Sequence, residues 1–465
     1  MQKKILGSDL AYLRDRKPRG SGLIALGLIC INSLTQPVLA AETLTQAWQI
    51  ASQRDHGILA AEFRQQAAQA QLQAAQAHHL PQLQLEAAYL RLQSEPAAKI
   101  SLPALPMLAH ASLPFAQDAS AAANLQLNLP LYTGGKISHA VTAAQAGVVA
   151  TQAGIALSQA DLRIAVAQAY VAVLRARQAR AVAASHVTAM QSHARDVKEL
   201  AQRGYVAKHD ELAVEVALAQ ALQWQLQAEN GWQLSQAAYN RWLGREATMA
   251  TDLLEPESAA PAIVLSQNLP SLIELAQQQR PELTSLQAQQ QSLREQARSI
   301  QAGDKPQVGL SAGYGKLENR YLTQDKGWYA GVVMKWSLFD GGLVRQQAAQ
   351  VQAQAQVTEQ IQAESREKIA LQVRQAWLAR DEAQARLQLS ATAQQQAEQA
   401  LQLARERYRN GLASNSEVLD AESRRLQAQS NHDQGRYDLM LAQLQLAYAS
   451  GQLAVSTKTP NQASN

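Results

Sequence analysis

Two copies of one pattern constrain what this chain can fold into. Each copy has an alternating apolar segment, a pair of glycines, and then a very long segment with few helix breakers that ends at a further glycine. The glycine pairs are Gly134-Gly135 and Gly341-Gly342, and the closing glycines are Gly204 and Gly411. In each case 207 residues separate the first copy from the second. The sequence therefore predicts an internal duplication of strand, hinge, long helix, tip and returning helix.

The long helical segments run from residue 135 to 203 and from 342 to 410. Ala, Gln, Glu, Arg and Leu dominate the second, a composition that strongly favours helix. At 1.5 Å per residue each helix would be about 100 Å long, which no single globule contains. Returning helices are predicted at 207–242 and 414–450. The aromatic content of 5 % is thin for a large globular core and fits an elongated helical assembly.

Four further segments alternate between apolar and polar residues with the period of a β-strand. They cover residues 82–92, 123–132, 307–315 and 328–339. Each is close to the roughly 9 to 11 residues that a strand of a tilted membrane barrel needs. The apolar face suits lipid, and the face of Gln, Asn, Ser and Gly suits a wet lumen.

Four strands per chain are too few to close a barrel. Because open strand edges are not tolerated in lipid, the pattern predicts that several chains share one barrel. On the strands alone, a soluble sandwich with one buried face remains the alternative.

Shorter elements complete each copy. Helices are predicted from Thr43 to His79 and from Ser271 to Ala302, each followed by a proline that precedes a strand. Residues 94–120 hold four prolines and no periodicity, which predicts a long loop. The predicted organisation is a signal peptide at 1–40, a first repeat at 41–245, a linker or equatorial region at 246–270, a second repeat at 271–453 and a C-terminal tail at 454–465.

The first 40 residues have the pattern of a secretory signal. Basic residues precede an apolar run from Gly22 to Leu34, and Val38-Leu39-Ala40 predicts cleavage after Ala40. Removing 1–40 takes away six basic and two acidic side chains, so the formal net charge falls from +4 to 0. The basic balance is thus no argument for nucleic acid. Loss of Cys30 would leave a mature chain without a disulfide or a thiolate metal site.

Several motifs carry a resemblance to a known family. They are the hinges Leu131–Gly135 and Leu338–Gly342, the segment Arg280–Leu283, the tip Arg407–Ser414 and the following Glu417–Ala421. Together with the constant repeat spacing, they resemble the TolC family of trimeric outer-membrane exit ducts. The match covers essentially all of the expected mature chain.

The resemblance implies an α+β membrane protein with an internal two-fold sequence repeat. It implies a trimeric 12-stranded outer-membrane β-barrel, with four strands from each chain, continuous with a long periplasmic α-helical barrel. The implied location is the cell outer membrane, with a large periplasmic portion. The implied partners are two further copies of the chain, outer-membrane lipid, a periplasmic adaptor protein and an inner-membrane pump of the proton-driven or ABC type. Neither a cofactor nor nucleic acid is implied.

The implied function is passive conduction of drugs and toxic compounds from the pump and adaptor to the exterior, without enzyme activity. The exit duct of a type I protein secretion system is the alternative. A periplasmic adaptor protein and a secreted coiled coil fit less well, because neither explains four alternating strands. No motif spacing predicts a catalytic or metal site.

The remaining candidate site is at the tips. In the family a ring of carboxylates narrows the tunnel there, and by position that role falls on Glu417 and Asp420, with Asp210 as the first-copy counterpart of Glu417. Ser414 to Glu417 also has the pattern of a capping box, so helix capping alone is the alternative for Glu417. The resemblance assigns adaptor contact to Gly204, Gly411, Tyr408 and Ser414, and places the strand-to-helix hinges at Gly134, Gly135, Gly341 and Gly342.

Overall fold

The computed structural model describes residues 41–100, 111–255 and 268–453. The predicted signal peptide, residues 256–267 of the predicted linker and the predicted tail lie outside the described residues. The helices are α1 (Leu44–Arg54), α2 (His56–Ala77), α3 (Lys136–Gln202), α4 (Lys208–Trp242), α5 (Leu269–Gln279), α6 (Pro281–Gln301), α7 (Leu343–Arg409) and α8 (Asn415–Ala449). The strands are β1 (Gln82–Arg91), β2 (Ala97–Ile100), β3 (Ala111–Pro114), β4 (Ala119–Tyr132), β5 (Gln307–Leu317) and β6 (Lys326–Lys335).

The two long helices, α3 and α7, each run for 67 residues. Each begins after a glycine with positive φ, Gly135 or Gly342, and each turns back at another, Gly204 or Gly411. Within the described ranges, α3 is the one helix that is long and apolar enough by composition to cross a membrane. It is several times longer than a bilayer is thick, and it packs on α2, α4, α6 and α8.

The helices pack side by side in a single layer. The hairpins of α3 with α4 and of α7 with α8 are joined by contact between α3 and α8. Nearer the strands, α2 and α6 take over from α4 and α8, so that the order there is α2, α3, α6, α7. The layer therefore has first-copy helices α2 and α4 at one edge and the second-copy helix α7 at the other.

The main sheet is antiparallel, with the strand order β1, β4, β5, β6. Its apolar side chains share one face, as the alternation predicts. One row of this face consists of Leu85, Leu125, Tyr314 and Trp328. All residues of β1 and β6 are exposed, so the described chain leaves this apolar face and both edge strands uncovered.

Both short helices that lead into a strand are broken, although the sequence predicts continuous ones. The first copy breaks at Asp55, whose Oδ1 accepts a hydrogen bond from the Ile58 N–H at 2.8 Å and so caps a new helix. The second copy breaks at Arg280, because Pro281 has no N–H for an interior helical bond and is favoured at a helix start.

Each break docks onto the end of a returning helix. An Arg54 guanidinium N–H donates to the Gly244 carbonyl at 3.1 Å, just beyond α4. In the same way Arg280 donates to the carbonyls of Ala449 at 3.3 Å and Tyr448 at 3.4 Å, at the end of α8. The Ala449 carbonyl is one that a helix end leaves without an intrahelical partner, and all three contacts fix the short helices to the hairpins.

The predicted loop at 94–120 is wrong in part. Strands β2 and β3 pair there as an antiparallel hairpin, and β4 already begins at Ala119, where it pairs with Arg91. Alanine-rich sequence gives little alternation of polarity, so periodicity did not reveal these strands.

Strand β6 ends at Lys335, earlier than the predicted residue 339. Lys335 pairs with Gln307, the first residue of β5, and the preceding Pro306 has no N–H for a further ladder bond. The Trp336 indole instead donates to the Asp304 carbonyl at 3.0 Å.

A buried cluster joins distant parts of the chain midway along α3. The Tyr170 hydroxyl lies 2.8 Å from the Glu42 carbonyl and 2.7 Å from the Leu254 carbonyl. Glu42 and Leu253 form a parallel bridge beside it. The start of the predicted linker is thus held against α3, together with the segment that precedes α1.

The two hinges offer a matched test of local packing. Gly134 and Gly341 have φ of +64° and +68°, but a Cβ on Gly134 would lie 2.6 Å from the Lys305 Cβ, whereas one on Gly341 would meet nothing within 4 Å. Replacing either by Ala should cost about 1 kcal/mol of backbone strain, and Gly134→Ala should cost a further 1–3 kcal/mol or so for the clash. Thermal unfolding of both purified variants tests this, and equal midpoints would contradict the packing at Gly134.

Candidate functional site

Each strand-to-helix hinge is anchored by a charged side chain. In the second copy the Asp340 carboxylate accepts hydrogen bonds from the N–H groups of Val344 and Gly342, each at 2.8 Å. These two bonds, that of Val344 first, hold the pKa of Asp340 below its ordinary value. In the first copy the Lys305 ammonium donates to the Gly134 carbonyl at 3.1 Å. The chain direction at the start of each long helix is thus fixed by different chemistry.

The second tip, between α7 and α8, contains the capping box that the sequence predicts. The Ser414 Oγ accepts from the Glu417 N–H at 3.3 Å, and the Ser414 N–H donates to the Glu417 carboxylate at 3.4 Å. The same carboxylate lies 3.4 Å from the Arg407 guanidinium. Asp420, one turn further along α8, is exposed, and within the described residues its carboxylate has no ion-pair or hydrogen-bond partner. Glu417 therefore has a local structural role, whereas Asp420 has none.

The first tip, between α3 and α4, is built differently. The cap position is Ala207, which has no side chain to bind the free N–H groups at the start of α4. The first turn instead carries two acids, Asp210 and Glu211, which suit the positive end of the helix dipole. Lys208 pairs with Glu211 at 2.6 Å on this turn. Asp210 is half-buried.

Asn415 connects the two tips. Its Oδ1 lies 2.8 Å from the His193 Nε2 on α3, and its Nδ2 donates to the Asp210 carbonyl at 3.4 Å. The His193 ring also meets the Tyr408 ring edge-on, with 5.8 Å between centroids. Burial lowers the pKa of His193 and raises that of Tyr408, so both side chains are neutral near pH 7. Of the predicted residues, Asp210 and Tyr408 therefore border a neutral, buried contact, whereas Ser414 bonds to Glu417 within its own tip.

A charged cluster lies two turns above the second tip. Glu422 is 1 % exposed, and its carboxylate contacts Arg425 at 2.7 Å, Arg405 at 3.0 Å and His186 at 3.4 Å. Burial alone would raise the pKa of Glu422, but hydrogen bonds from His186 and Arg425 and the charges of both arginines outweigh it and lower the pKa to about 2. The cluster ties α8 to α3 and α7.

Sequence reasoning missed His193, Asn415 and Glu422. The repeat does not mark Asn415, because nearly every position differs between the two tips; the equivalent first-tip residue, 207 positions earlier, is Lys208. Nothing in the sequence marks Glu422 either, whose partners come from three helices.

The described ranges contain no cluster of His, Cys, Asp and Glu that could hold a metal ion. The geometry of the site is instead that of two helical hairpins with charged, solvent-facing ends and a bonded contact between them.

Comparison with known proteins identifies the family. The sequence model described as outer membrane efflux protein matches residues 47–245 and 272–452. The chain belongs to the outer membrane efflux protein family. No curated protein sequence matches the chain.

Solved structures share the fold of this efflux family member. VceC, an outer membrane protein of Vibrio cholerae, is 21 % identical, with a TM-score of 0.72 over 88 % of this chain and 96 % of that one. The CmeC outer membrane channel of Campylobacter jejuni is 16 % identical, with a TM-score of 0.71 over 90 % and 87 % of the two chains. The open state of the MtrE outer membrane channel of Neisseria gonorrhoeae is 16 % identical, with a TM-score of 0.71 and 88 % of each chain covered.

These findings confirm the resemblance to the TolC-like channels and the outer-membrane location of the efflux protein. They also confirm the combination of long helices with a β-sheet.

The Glu422 cluster predicts a pH-dependent contribution to stability. A pKa lowered from 4.5 to about 2 contributes on the order of 3 kcal/mol, fully present above pH 4.5 and lost as the pH falls towards 2. Glu422→Gln should therefore lower the free energy of unfolding by about 3 kcal/mol at pH 7, and the difference from wild type should shrink between pH 4.5 and 2.

The matched control is Glu417→Gln, since Glu417 is an exposed acid on the same helix. Because Gln in this position keeps the capping-box hydrogen bond, the variant should cost less than about 1 kcal/mol, through loss of the Arg407 pair and of the charge near the helix dipole. Thermal unfolding across this pH range gives both differences, and a Glu422→Gln deficit that is unchanged at low pH would contradict the ion cluster.

Proposed function

We propose that this protein is the trimeric outer-membrane channel of a tripartite efflux system. The main support is that the same copy of the repeat forms one edge of both the sheet and the helical layer. First-copy elements, β1 and α4, form one edge of the sheet and of the helical layer, and second-copy elements, β6 and α7, form the other. Joining the β6 edge of one copy to the β1 edge of the next satisfies the strand backbones and brings α7 beside α4 at the same time.

The width of the barrel supports at least three copies. Two copies would give eight strands, and in a barrel of about that size side chains fill the interior. Three copies give twelve strands and leave a lumen. A closed ring of identical chains also removes every open edge, which lipid requires.

The two faces of the sheet suit lipid and water. The apolar face presents large exposed side chains such as Leu85, Trp328 and Val332. Small and polar side chains occupy the other face of β4 and β5, where Gln126 donates to Ser311 at 3.1 Å. Such a lumen would conduct small hydrophilic and amphipathic molecules passively.

The tips are the natural contact for a periplasmic adaptor, which would link the channel to an inner-membrane pump. Gly204, Gly411 and Ser414 lie at the surface beside two exposed apolar side chains, Tyr205 at 75 % and Leu412 at 69 %. Exposed apolar residues of this size at the end of a polar rod suit a protein contact. Tyr408 lies behind them as support through its contact with His193.

Asp420 would form the charged aperture in this arrangement. Three copies would bring three Asp420 carboxylates around the axis. Glu417 and Asp210 would add further negative charge, although Glu417 also takes part in a capping box and Asp210 also lies at the positive end of a helix dipole. At an effective dielectric of 20, two charges 4 Å apart repel by about 4 kcal/mol, and less at wider spacing. A hydrated ring of this kind attracts cations.

We expect the mature protein to begin at Ala41, because the signal pattern ends at Ala40. We also expect it to be a trimer in detergent, since the four-stranded sheet leaves both edges unpaired. Sequencing the N-terminus and measuring the mass of the extracted protein by light scattering tests this. A stable monomer in mild detergent would overturn the proposed assembly.

Asp420→Asn should reduce cation selectivity and block by multivalent cations in planar bilayers. The control is Glu367→Gln, which removes one exposed charge on α7 at a distance of about 60 Å from the tip. If Asp420→Asn leaves selectivity and block unchanged in an intact trimer, the aperture lies elsewhere.

Deleting the gene should sensitise cells to dyes, detergents or antibiotics. Loss of one secreted protein instead, with unchanged drug sensitivity, would assign the channel to type I secretion.

A further inference from the structure

Two lysines lie at one end of the apolar face of the sheet, away from the proposed lumen. Lys316 on β5 and Lys326 on β6 are direct partners at the end of the sheet away from the long helices. Side chains two residues apart on a strand share a face, so both lysines lie on the face of Tyr314 and Trp328. Those two aromatic residues also pair directly, one step nearer the helices.

The two lysines need a counter-charge. Directly opposed residues on neighbouring strands have Cβ atoms about 5 Å apart, and like charges in this position destabilise a sheet. The ion pairs that lysines form within the described residues are Lys208 with Glu211 and Lys368 with Glu364. Neither Lys316 nor Lys326 is among them, and both are exposed.

A shallow groove of about 440 Å³ adjoins the lysine pair. Alanines of β1 and β4, including Ala87 and Ala123, form its floor, and Tyr89 and Lys316 stand at its sides. Glu318 also lies on its rim and contributes the one carboxylate there. Ala123 pairs with both Ala87 and Lys316, so the floor continues directly into the charged row. The groove therefore has an apolar floor of small side chains beside a charged edge.

We propose that this surface binds an anionic lipid of the outer leaflet through a headgroup phosphate held between Lys316 and Lys326, with an acyl chain along the alanine floor. The phosphate supplies the missing negative charge, and the aromatic pair lies at the depth of the headgroup boundary, where such rings are favoured. The proposal rests on the proposed channel function, in which the long helices extend into the periplasm and this end of the sheet reaches the outer surface.

The lipid source is distinguished from free phosphate by the choice of probe. Purified trimer is incubated with lipid A, which carries two phosphates on a glucosamine disaccharide, or with zwitterionic phosphatidylethanolamine, and retained lipid is counted by native mass spectrometry. Wild type should retain lipid A at least tenfold better, and millimolar inorganic phosphate should not displace it.

The double variant Lys316→Gln/Lys326→Gln should lose about 20-fold in lipid A retention, since each basic side chain near an anionic surface contributes roughly fivefold. Lys316→Arg/Lys326→Arg keeps the charge and should retain the lipid. The control Lys136→Gln/Lys335→Gln removes the same charge at the opposite end of the sheet and should match wild type.

Equal retention by the Lys316→Gln/Lys326→Gln variant and the control, or displacement of the lipid by free phosphate, would overturn the proposal. Size and single-channel conductance of the same samples report on the channel itself. A conducting trimer without lipid A preference refutes the lipid site alone, whereas a protein that neither trimerises nor conducts refutes the proposed function.

Discussion

The unpaired backbone at the two edges of the four-stranded sheet is the constraint on which the rest of this structure depends. Strands β1 and β6 each present a row of N–H and C=O groups, and the sheet has one apolar face. Water can satisfy such edges and lipid cannot. In the proposed assembly other copies of the chain supply the missing neighbours, and every element outside the sheet has to be compatible with that arrangement.

The duplication supplies this compatibility. Both halves have the same order of strand, hinge and long helix. First-copy elements therefore form one edge of both the sheet and the helical layer, and second-copy elements form the opposite edge of both. The hinges connect each strand to its long helix. One hinge is held by the Asp340 carboxylate and the other by the Lys305 ammonium. Midway along α3, the hydroxyl of Tyr170 holds the chain segments around Glu42 and Leu254 in place.

Sequence periodicity predicted what depends on local rules. The long helices, the returning helices and the four strands follow from breaker positions and alternation, and the tip glycines Gly204 and Gly411 marked the turns. The break at Asp55 was readable in principle, because Asp is a strong N-cap residue, but the helical composition on both sides obscured it. The contacts of Asn415 and Glu422 could not be predicted, since they depend on how α8 sits against α3, a packing relation that no single-helix period encodes.

The difference between the two tips has a consequence for any partner. Ser414 caps the start of α8, whereas Ala207 leaves the start of α4 uncapped, and Asn415 reaches across from one tip to the other. The proposed trimer would consequently present six hairpin ends that alternate between two chemical types, although both types are helical hairpins. If six identical subunits docked on these ends, alternate subunits would contact different tips. The subunits would then bind in two alternating conformations, as three pairs.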